Sequence, residues 1–234
     1  MTIIRRMQPD DTDAVREVEA AAFGAWLQRV RNWEGELAPR TRTNVLVTQQ
    51  KDPNGCFVAY DAGRVVGFIF SRTWGSVGWF GPFCVLPEYQ GGGIGQRLIA
   101  ASLAYLQQDD ERVIGLETMP DSPNNLGLYL RCGFRVRFLS LQLGKRSNLS
   151  AQDRAQLPLW SELDSASRRR WLANLREATA RIRPGLDYSK EILATARHHL
   201  GDTLWLIENG TAIGASTVQL VSMREGENHG QAVA

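Results

Sequence analysis

The most informative stretch of the sequence is Gln90-Gly91-Gly92-Gly93-Ile94-Gly95-Gln96, called the glycine loop below. The uncharged, aromatic-rich run from Val77 to Val85 precedes it and predicts a strand buried on both faces. From Ile94 to about Gln107, apolar residues at helical spacing predict an amphipathic helix. Because helix N-termini attract phosphate and glycines let the backbone approach an anion closely, the loop predicts a pyrophosphate site. The alternative for three consecutive glycines is a flexible connector.

Two common phosphate-binding patterns fit this loop poorly. Gly95 is followed by Gln96-Arg97 rather than by Lys and a hydroxyl residue, which argues against a Walker loop that binds Mg²⁺-nucleotide. A dinucleotide-binding loop belongs in a first βα unit, with an acidic residue about 20 positions later. Here the pattern of a β-hairpin precedes the loop, so the dinucleotide interpretation is the weaker one.

The residues around the loop extend the pattern into two motifs. Val85-x-Pro87-Glu88-x-Gln90-x-x-Gly93-x-Gly95 resembles the acyl-CoA signature of the GNAT-type N-acetyltransferases. Asn125-x-x-x-Tyr129-x-x-x-Gly133-Phe134 is similar to a later signature of that family. The resemblance covers residues 2–143, where the order of predicted strands and helices also agrees. It implies an α/β protein with a mixed sheet, the GNAT acyl-CoA N-acyltransferase fold.

The resemblance implies that the chain binds acetyl-CoA as its acyl donor, without a metal. The backbone of the strand before the loop would pair with the pantetheine arm, the loop amides would hold the pyrophosphate, and a side-chain amide would contact the arm. The residues implied in these contacts are Phe83, Cys84, Val85, Gln90, Gly91, Gly92, Gly93, Ile94, Gly95, Gln96 and Asn125.

Two residues are candidates for proton transfer. By resemblance, Tyr129 would be the general acid that protonates the departing thiolate, although a tyrosine packed in the core is the alternative. The general base is less clear, because residues 78–85 contain no Asp, Glu or His, where family members often place one. Glu117 on the next predicted strand is the best remaining carboxylate, acting through a water, and a solvated strand-end carboxylate is the alternative.

The function implied by the resemblance is direct transfer of an acetyl group from acetyl-CoA to a primary amine. The acceptor, a small molecule or a peptide, is left open, and its pocket is expected near Trp26 to Trp33, Trp74 to Phe80 and the end of the first module, the region 2–143. The missing strand carboxylate favours an alternative, a non-catalytic acyl-CoA-binding or regulatory module. Cys84 is expected to be a buried small hydrophobe rather than an acyl-accepting nucleophile.

Composition excludes several other classes of protein. The 234 residues are 43% hydrophobic, and 27 Lys and Arg against 25 Asp and Glu leave a formal net charge of +2. This charge gives no electrostatic reason to expect nucleic acid or an anionic membrane as a partner. Three widely spaced cysteines indicate neither a zinc site nor a disulfide framework, so a reducing cytoplasm is the expected location. A homodimer remains open.

Local periodicity and turn residues predict the other elements. Strands are expected at 3–6, 56–60, 65–70, 113–118, 134–143, 203–207 and 211–219. Helices are expected from Asp11 or Thr12, over 25–42 with an end near Pro39, and over 125–131, 166–181 and 189–199, with a further start at 149–153 capped by Ser150. In the first helix, Arg16, Glu17 and Glu19 are expected to face water.

The two predicted hairpins suggest an internal repeat. Gly63 and Gly67 recur 147 residues later as Gly210 and Gly214, and both pairs follow helical segments. Coincidence of two turn glycines is the alternative. The repeat predicts a complete GNAT domain over 1–145 and a partial second GNAT-like module over 146–234. At the same offset a second glycine loop would fall after Ala234, so one acetyl-CoA site is expected.

Overall fold

The computed structural model describes residues 1–108, 112–140 and 157–226, together with the backbone of 231–232. The strands are β1 Ile3–Arg6, β2 Cys56–Asp61, β3 Arg64–Trp74, β4 Val77–Val85, β5 Val113–Gly115, β6 Gly201–Glu208, β7 Thr211–Gln219 and β8 Gln231–Ala232. The helices are α1 Thr12–Arg31, α2 Arg42–Lys51, α3 Ile94–Leu106, α4 Pro123–Arg131, α5 Ser165–Ala180 and α6 Ser189–Arg197. None of these helices combines the length and the hydropathy that crossing a membrane requires.

The first five strands form one mixed sheet in the order β1-β2-β3-β4-β5. All neighbours are antiparallel except β4 and β5, which run parallel and pair only from Val77 to Trp79 on β4. Beyond Trp79, β4 has no strand partner on its β5 side within the described residues. Burial on both faces was therefore a partly wrong prediction, because Gly81 to Phe83 on this free edge are only half-buried.

The core of the N-terminal half lies between the sheet and its helices. Helices α1 and α3 both pack against β3, whose central residues Phe68, Ile69 and Phe70 are buried. Leu98 and Ile99 are fully buried on α3, as the amphipathic pattern of that helix predicts. The hairpin over β2 and β3, strand β4 and helix α3 therefore confirm the corresponding predictions.

The prediction of a second helix over 25–42 was wrong. Helix α1 continues to Arg31 and ends at Asn32, which adopts a left-handed conformation with φ of 50°. An irregular segment follows, and the second helix, α2, begins only after Thr41, whose side chain accepts a hydrogen bond from the Asn44 N–H at 3.3 Å. The Thr41 cap was the missed signal, since a capping hydroxyl marks a helix start.

Glu19 also differs from its prediction. It was expected to face water, as Glu17 does, but it is 1% exposed and is hydrogen-bonded to two arginines. One of these, Arg224, lies 205 residues away in sequence. Local periodicity carries no signal for such a distant partner.

The segment after α4 contains less strand than predicted. Strand β5 ends at Gly115 instead of Thr118, and residues 134–140 form no regular structure. Phe134 packs against Phe80 and Tyr129, whereas residues 135–140 are exposed and lack a strand partner. The rest of that predicted strand, 141–143, and the helix start at Ser150 lie outside the described residues.

The C-terminal half has its own small core. Its sheet has the order β6-β7-β8, and its buried residues include Trp160, Trp171, Ile192 and Trp205. Helix α5 is capped by Asp164, whose side chain accepts from the N–H groups of Ala166 and Ser167. Helices α5 and α6 and the hairpin β6–β7 agree with the predicted elements within two residues at each end.

The two hairpins share their detailed geometry. Ala62 and Gly63 in the first turn, and Asn209 and Gly210 in the second, all have positive φ. Each hairpin also contains a register shift at the same place, between Ala59 and Tyr60 in β2 and 147 residues later in β6. This shared geometry supports the repeat, whereas the boundaries 1–145 and 146–234 stay predictions.

Polar contacts join the two halves along helices α2 and α6. Lys51 Nζ lies 2.7 Å from Glu191, and Lys190 Nζ lies 2.8 Å from the buried Asp52. Glu191 also accepts a hydrogen bond from the indole N–H of Trp74 at 3.0 Å. The charges on the two helices are therefore complementary in neighbouring pairs.

Candidate active site

One cavity of about 560 Å³ lies between α1, the end of β4, the glycine loop and α4. Nine of the eleven predicted cofactor-binding residues line this cavity, namely Phe83, Cys84, Val85, Gln90, Gly91, Gly93, Gly95, Gln96 and Asn125. The other two, Gly92 and Ile94, are not part of its wall. Ile94 instead belongs to the hydrophobic core. The structure thus brings together a strand edge, a loop and two helices that are separated in sequence.

The glycine loop turns sharply from β4 into α3. Gly91 and Gly93 have φ of 82° and 79°, a left-handed region in which a Cβ is strained. Gly93 is the residue that caps the start of α3, so the free N–H groups of the first helical turn adjoin the cavity. Gln90 donates a side-chain hydrogen bond to the Val85 carbonyl at 2.9 Å and ties the loop back to the strand.

The ring of Phe83 packs against Gly95 and leaves little room for a side chain at that position. A Cβ at position 95 would lie 3.1 Å from the Phe83 ring, closer than a normal packing contact. The same ring lies 6.5 Å from the ring of Tyr129. Phe83 therefore joins the free edge of β4 to the start of α3 and to α4.

Tyr129 is buried in an aromatic cluster beside the cavity. Its ring lies 6.0 Å from Phe80 and 6.4 Å from Phe134, and its hydroxyl shares a hydrogen bond with Thr118. Burial raises the pKa of Tyr129 to about 12, so the phenol holds its proton at neutral pH. Tyr129 does not line the cavity, although its neighbour Leu128 does.

Glu117 lies apart from this cavity. It is exposed in the segment after β5 and accepts a hydrogen bond from the Ser140 hydroxyl at 3.2 Å. The charged residues on the described cavity wall are Arg29 and Arg131, and no described carboxylate lines it. The two candidate catalytic residues are thus not brought together on the wall, and the role of Glu117 stays a prediction.

The comparisons with known proteins place the chain in a family. Residues 15–134, more than half of the chain and all of the candidate cofactor site, match the family model described as the acetyltransferase (GNAT) family. The chain belongs to the GNAT acetyltransferase family. The prediction of an acetyltransferase with this fold is therefore confirmed at the level of the family.

Several curated relatives of this GNAT protein are mycothiol acetyltransferases. It is 31% identical over 147 residues to the mycothiol acetyltransferase of Amycolatopsis mediterranei, which corresponds to 58% of this chain and 46% of the relative. It is 32% identical over 131 residues to the mycothiol acetyltransferase of Pseudarthrobacter chlorophenolicus, or 53% and 39% of the two chains. The chain thus spans less than half the length of these relatives.

Solved GNAT structures share the fold at low sequence identity. A Pyrococcus horikoshii protein, provisionally described as an acetyltransferase, is 18% identical with a TM-score of 0.56, and the match covers 93% of this chain and 71% of that one. The tetramutant of the BH1408 protein from Bacillus halodurans is 16% identical with a TM-score of 0.51, over 61% and 99% of the two chains. The first of these matches includes most of the C-terminal half.

Sequence reasoning missed most of the α1 wall of this GNAT cavity. Ala22, Trp26 and Arg29 follow one another at helical spacing and line the cavity, and the predicted region 26–33 includes the last two but not Ala22. Trp74, which was expected in the acceptor pocket, instead packs against Tyr188 of the C-terminal half at 5.5 Å. The regular spacing along α1 was the available signal.

The cysteines of this GNAT protein yield a first prediction. Burial raises the pKa of Cys84 well above its usual range, raises that of Cys56 to about 12, and raises that of the half-buried Cys132. Because the thiolate is the reactive form, we expect the native protein to contain at most one fast-reacting thiol, Cys132, and the unfolded protein three. Titration with a chromogenic disulfide checks this, with Cys132→Ser as control. Rapid labelling of Cys84 would instead favour a covalent cysteine intermediate.

Proposed function

We propose that this protein is an acetyl-CoA-dependent N-acetyltransferase that passes an acetyl group directly to a primary amine. One observation carries the proposal. The free edge of β4, the left-handed glycines at the start of α3 and Asn125 all line a single cavity of about 560 Å³. Acetyl-CoA is long, flexible and anionic at one end, so it needs this combination of an unpaired strand and an anion-binding helix start.

Within this proposal, the backbone of Phe83 to Val85 pairs with the pantetheine arm, because this part of β4 pairs with β3 on one side and with no described strand on its β5 side. The N–H groups of Gly91 to Gln96 bind the pyrophosphate, and the α3 dipole favours its negative charge. Both contacts use the main chain, so side-chain identity matters there mainly through the small size of the glycines.

In the proposed transfer, the acceptor nitrogen attacks the thioester carbonyl carbon, a C–N bond forms and the C–S bond breaks. The nitrogen gives up its proton to water, with Glu117 as the candidate that accepts it through that water. The departing sulfur receives the proton of the Tyr129 phenol. The products are an amide and free CoA thiol.

An amine library incubated with acetyl-CoA tests the proposal when thiol release is followed. The library should contain mycothiol-related amines, since the curated relatives carry that name. The absence of a described carboxylate from the cavity wall favours one alternative, a non-catalytic acyl-CoA-binding module. Tight CoA binding without turnover on any amine would support that alternative.

A second prediction concerns the charge of the acceptor. Because Arg29 and Arg131 are the charged residues on the described wall, a polycationic amine would meet like charges there. We expect kcat/KM for amines that carry a carboxylate to exceed that for spermidine at least about tenfold, or ~1.4 kcal/mol. Parallel kinetics on matched amines check this, and Arg29→Gln should narrow the difference. A preference for spermidine would contradict it.

A further inference from the structure

Glu19 is a buried carboxylate at the joint between the two halves of the chain. Its Oε1 accepts from Arg224 Nη2 at 2.6 Å and from Arg40 Nε at 3.1 Å, and its Oε2 accepts from Arg224 Nη1 at 2.8 Å. Arg224 thus holds Glu19 in a two-pronged ion pair, whereas Arg40 contributes one hydrogen bond. All three side chains are largely buried.

The backbone around Arg224 makes a second connection to the N-terminal half. Thr41 N–H donates to the Met223 carbonyl, and Glu225 N–H donates to the Pro39 carbonyl, both at 3.0 Å. Arg224 itself donates to the Ala38 carbonyl at 2.7 Å. Residues 223–225 therefore run as a short antiparallel bridge along the connection between α1 and α2.

This cluster adjoins the α1 wall of the cavity along the helix. Glu19 precedes Ala22 and Phe23 by one helical turn, and both of these residues line the cavity. Burial raises the pKa of the Cys84 thiol on the β4 wall, and the charge of Glu19 adds to that rise, so the cluster is within electrostatic reach of this wall. A shift of α1 or of residues 32–41 would therefore change the shape of the cavity at Phe23 and Trp26.

We propose that Arg224 is a positioning residue through which the C-terminal half holds the α1 wall in place for the acceptor. This inference rests on the proposed N-acetyltransferase function. Without Arg224, the buried Glu19 carboxylate would keep a single hydrogen bond from Arg40, and an underpaired buried charge is strongly unfavourable. Helix α1 and the α1–α2 connection would then relax, whereas the glycine loop on the other side of the cavity would not.

The test compares Arg224→Ala and Arg224→Lys with the unaltered protein. We expect Arg224→Ala to raise the acceptor KM at least about tenfold and to leave the Kd for CoA within about twofold. Hydrogen exchange of the amides over 32–41 should become faster. Arg224→Lys, which keeps the charge but not the two-pronged geometry, should give a smaller change in the same direction.

The matched control is Arg176→Ala, which removes a half-exposed pair with Asp187 in the same half and should change none of these values. Unchanged acceptor KM together with unchanged exchange over 32–41 would overturn the proposal, as would equal losses in acceptor and CoA binding. If Arg224→Ala does not fold, Arg224→Lys carries the test. If neither the unaltered protein nor any variant transfers acetyl groups, the proposed function fails. Hydrogen exchange of the amides over 32–41 then still decides whether Arg224 holds this wall.

Discussion

Replacing Gly93 with Asp is expected to raise the Kd for CoA at least about 100-fold, or ~2.7 kcal/mol. Gly93 caps α3 and borders the cavity, so a carboxylate there would face the proposed pyrophosphate and repel it. The fold should survive, because Asp is a favourable residue at a helix N-terminus and tolerates the left-handed conformation better than most residues. Calorimetric titration with CoA measures the loss, and thermal unfolding confirms that the variant is folded.

Two control variants separate charge from backbone strain. A Cβ at Gly93 would meet no atom within 4 Å, so Gly93→Ala tests only the strain of a φ of 79°. Gly63→Asp places the same side chain at another left-handed glycine, in the β2–β3 turn, away from the cavity. Both should bind CoA far better than Gly93→Asp. Unchanged affinity in Gly93→Asp would show that phosphate does not bind at the start of α3.

The strand, loop and helix start that line the cavity could be predicted because their determinants are local. The β4 strand, the glycine loop and the start of α3 are consecutive in sequence, and a left-handed glycine before a helix is specified by the residues on either side of it. Gly95 is likewise explained by a neighbour, since Phe83 lies twelve positions earlier on the adjoining strand. Nine of the eleven predicted cofactor-binding residues therefore line one cavity.

The α1 wall, which we propose faces the acceptor, was predicted only in part, because its determinants are distant in sequence. Glu19 lies four positions after the buried Val15 and so on the apolar face of α1, but its charge predicts exposure. Its burial depends on pairing with Arg224, 205 positions away. Trp74 was predicted to line the acceptor pocket, but its indole N–H donates a hydrogen bond to Glu191, 117 positions away. Periodicity reports which face of a helix is apolar, not which buried polar partner a distant segment will supply.

The repeat lies between these two cases. The turn glycines predicted the second hairpin, and the shared register shift between Ala59 and Tyr60 and in β6 goes beyond what two glycines require. The pairing of the third strand differs between the two halves. In the first half Gly67 pairs with Val85, so the offset of 147 predicts that Gly214 pairs with Ala232, but Ala232 pairs with Val218. Third-strand pairing depends on contacts beyond the hairpin, so the repeated turn does not determine it.

Replacing Tyr129 with Phe is expected to lower kcat about 100-fold while leaving the Kd for CoA within about twofold. Phe retains the ring contacts with Phe80, Phe83 and Phe134, so packing and cofactor binding should persist. Only the hydroxyl is lost. Because burial raises its pKa to about 12, this hydroxyl is protonated throughout the neutral range, as the proposed general acid has to be. Steady-state kinetics and CoA titration separate the two effects.

Tyr105→Phe is the matched control, because Tyr105 is a second tyrosine with a pKa raised to about 12 by burial. Its hydroxyl donates to Asp52 at 2.8 Å, and Tyr105 does not line the cavity. Its loss should lower the free energy of unfolding by about 1 kcal/mol and leave kcat unchanged. If Tyr129→Phe instead behaves like Tyr105→Phe, with lower stability and full turnover, Tyr129 is a packing residue. The thiolate would then take its proton from solvent, and the proposed general acid would have to be abandoned.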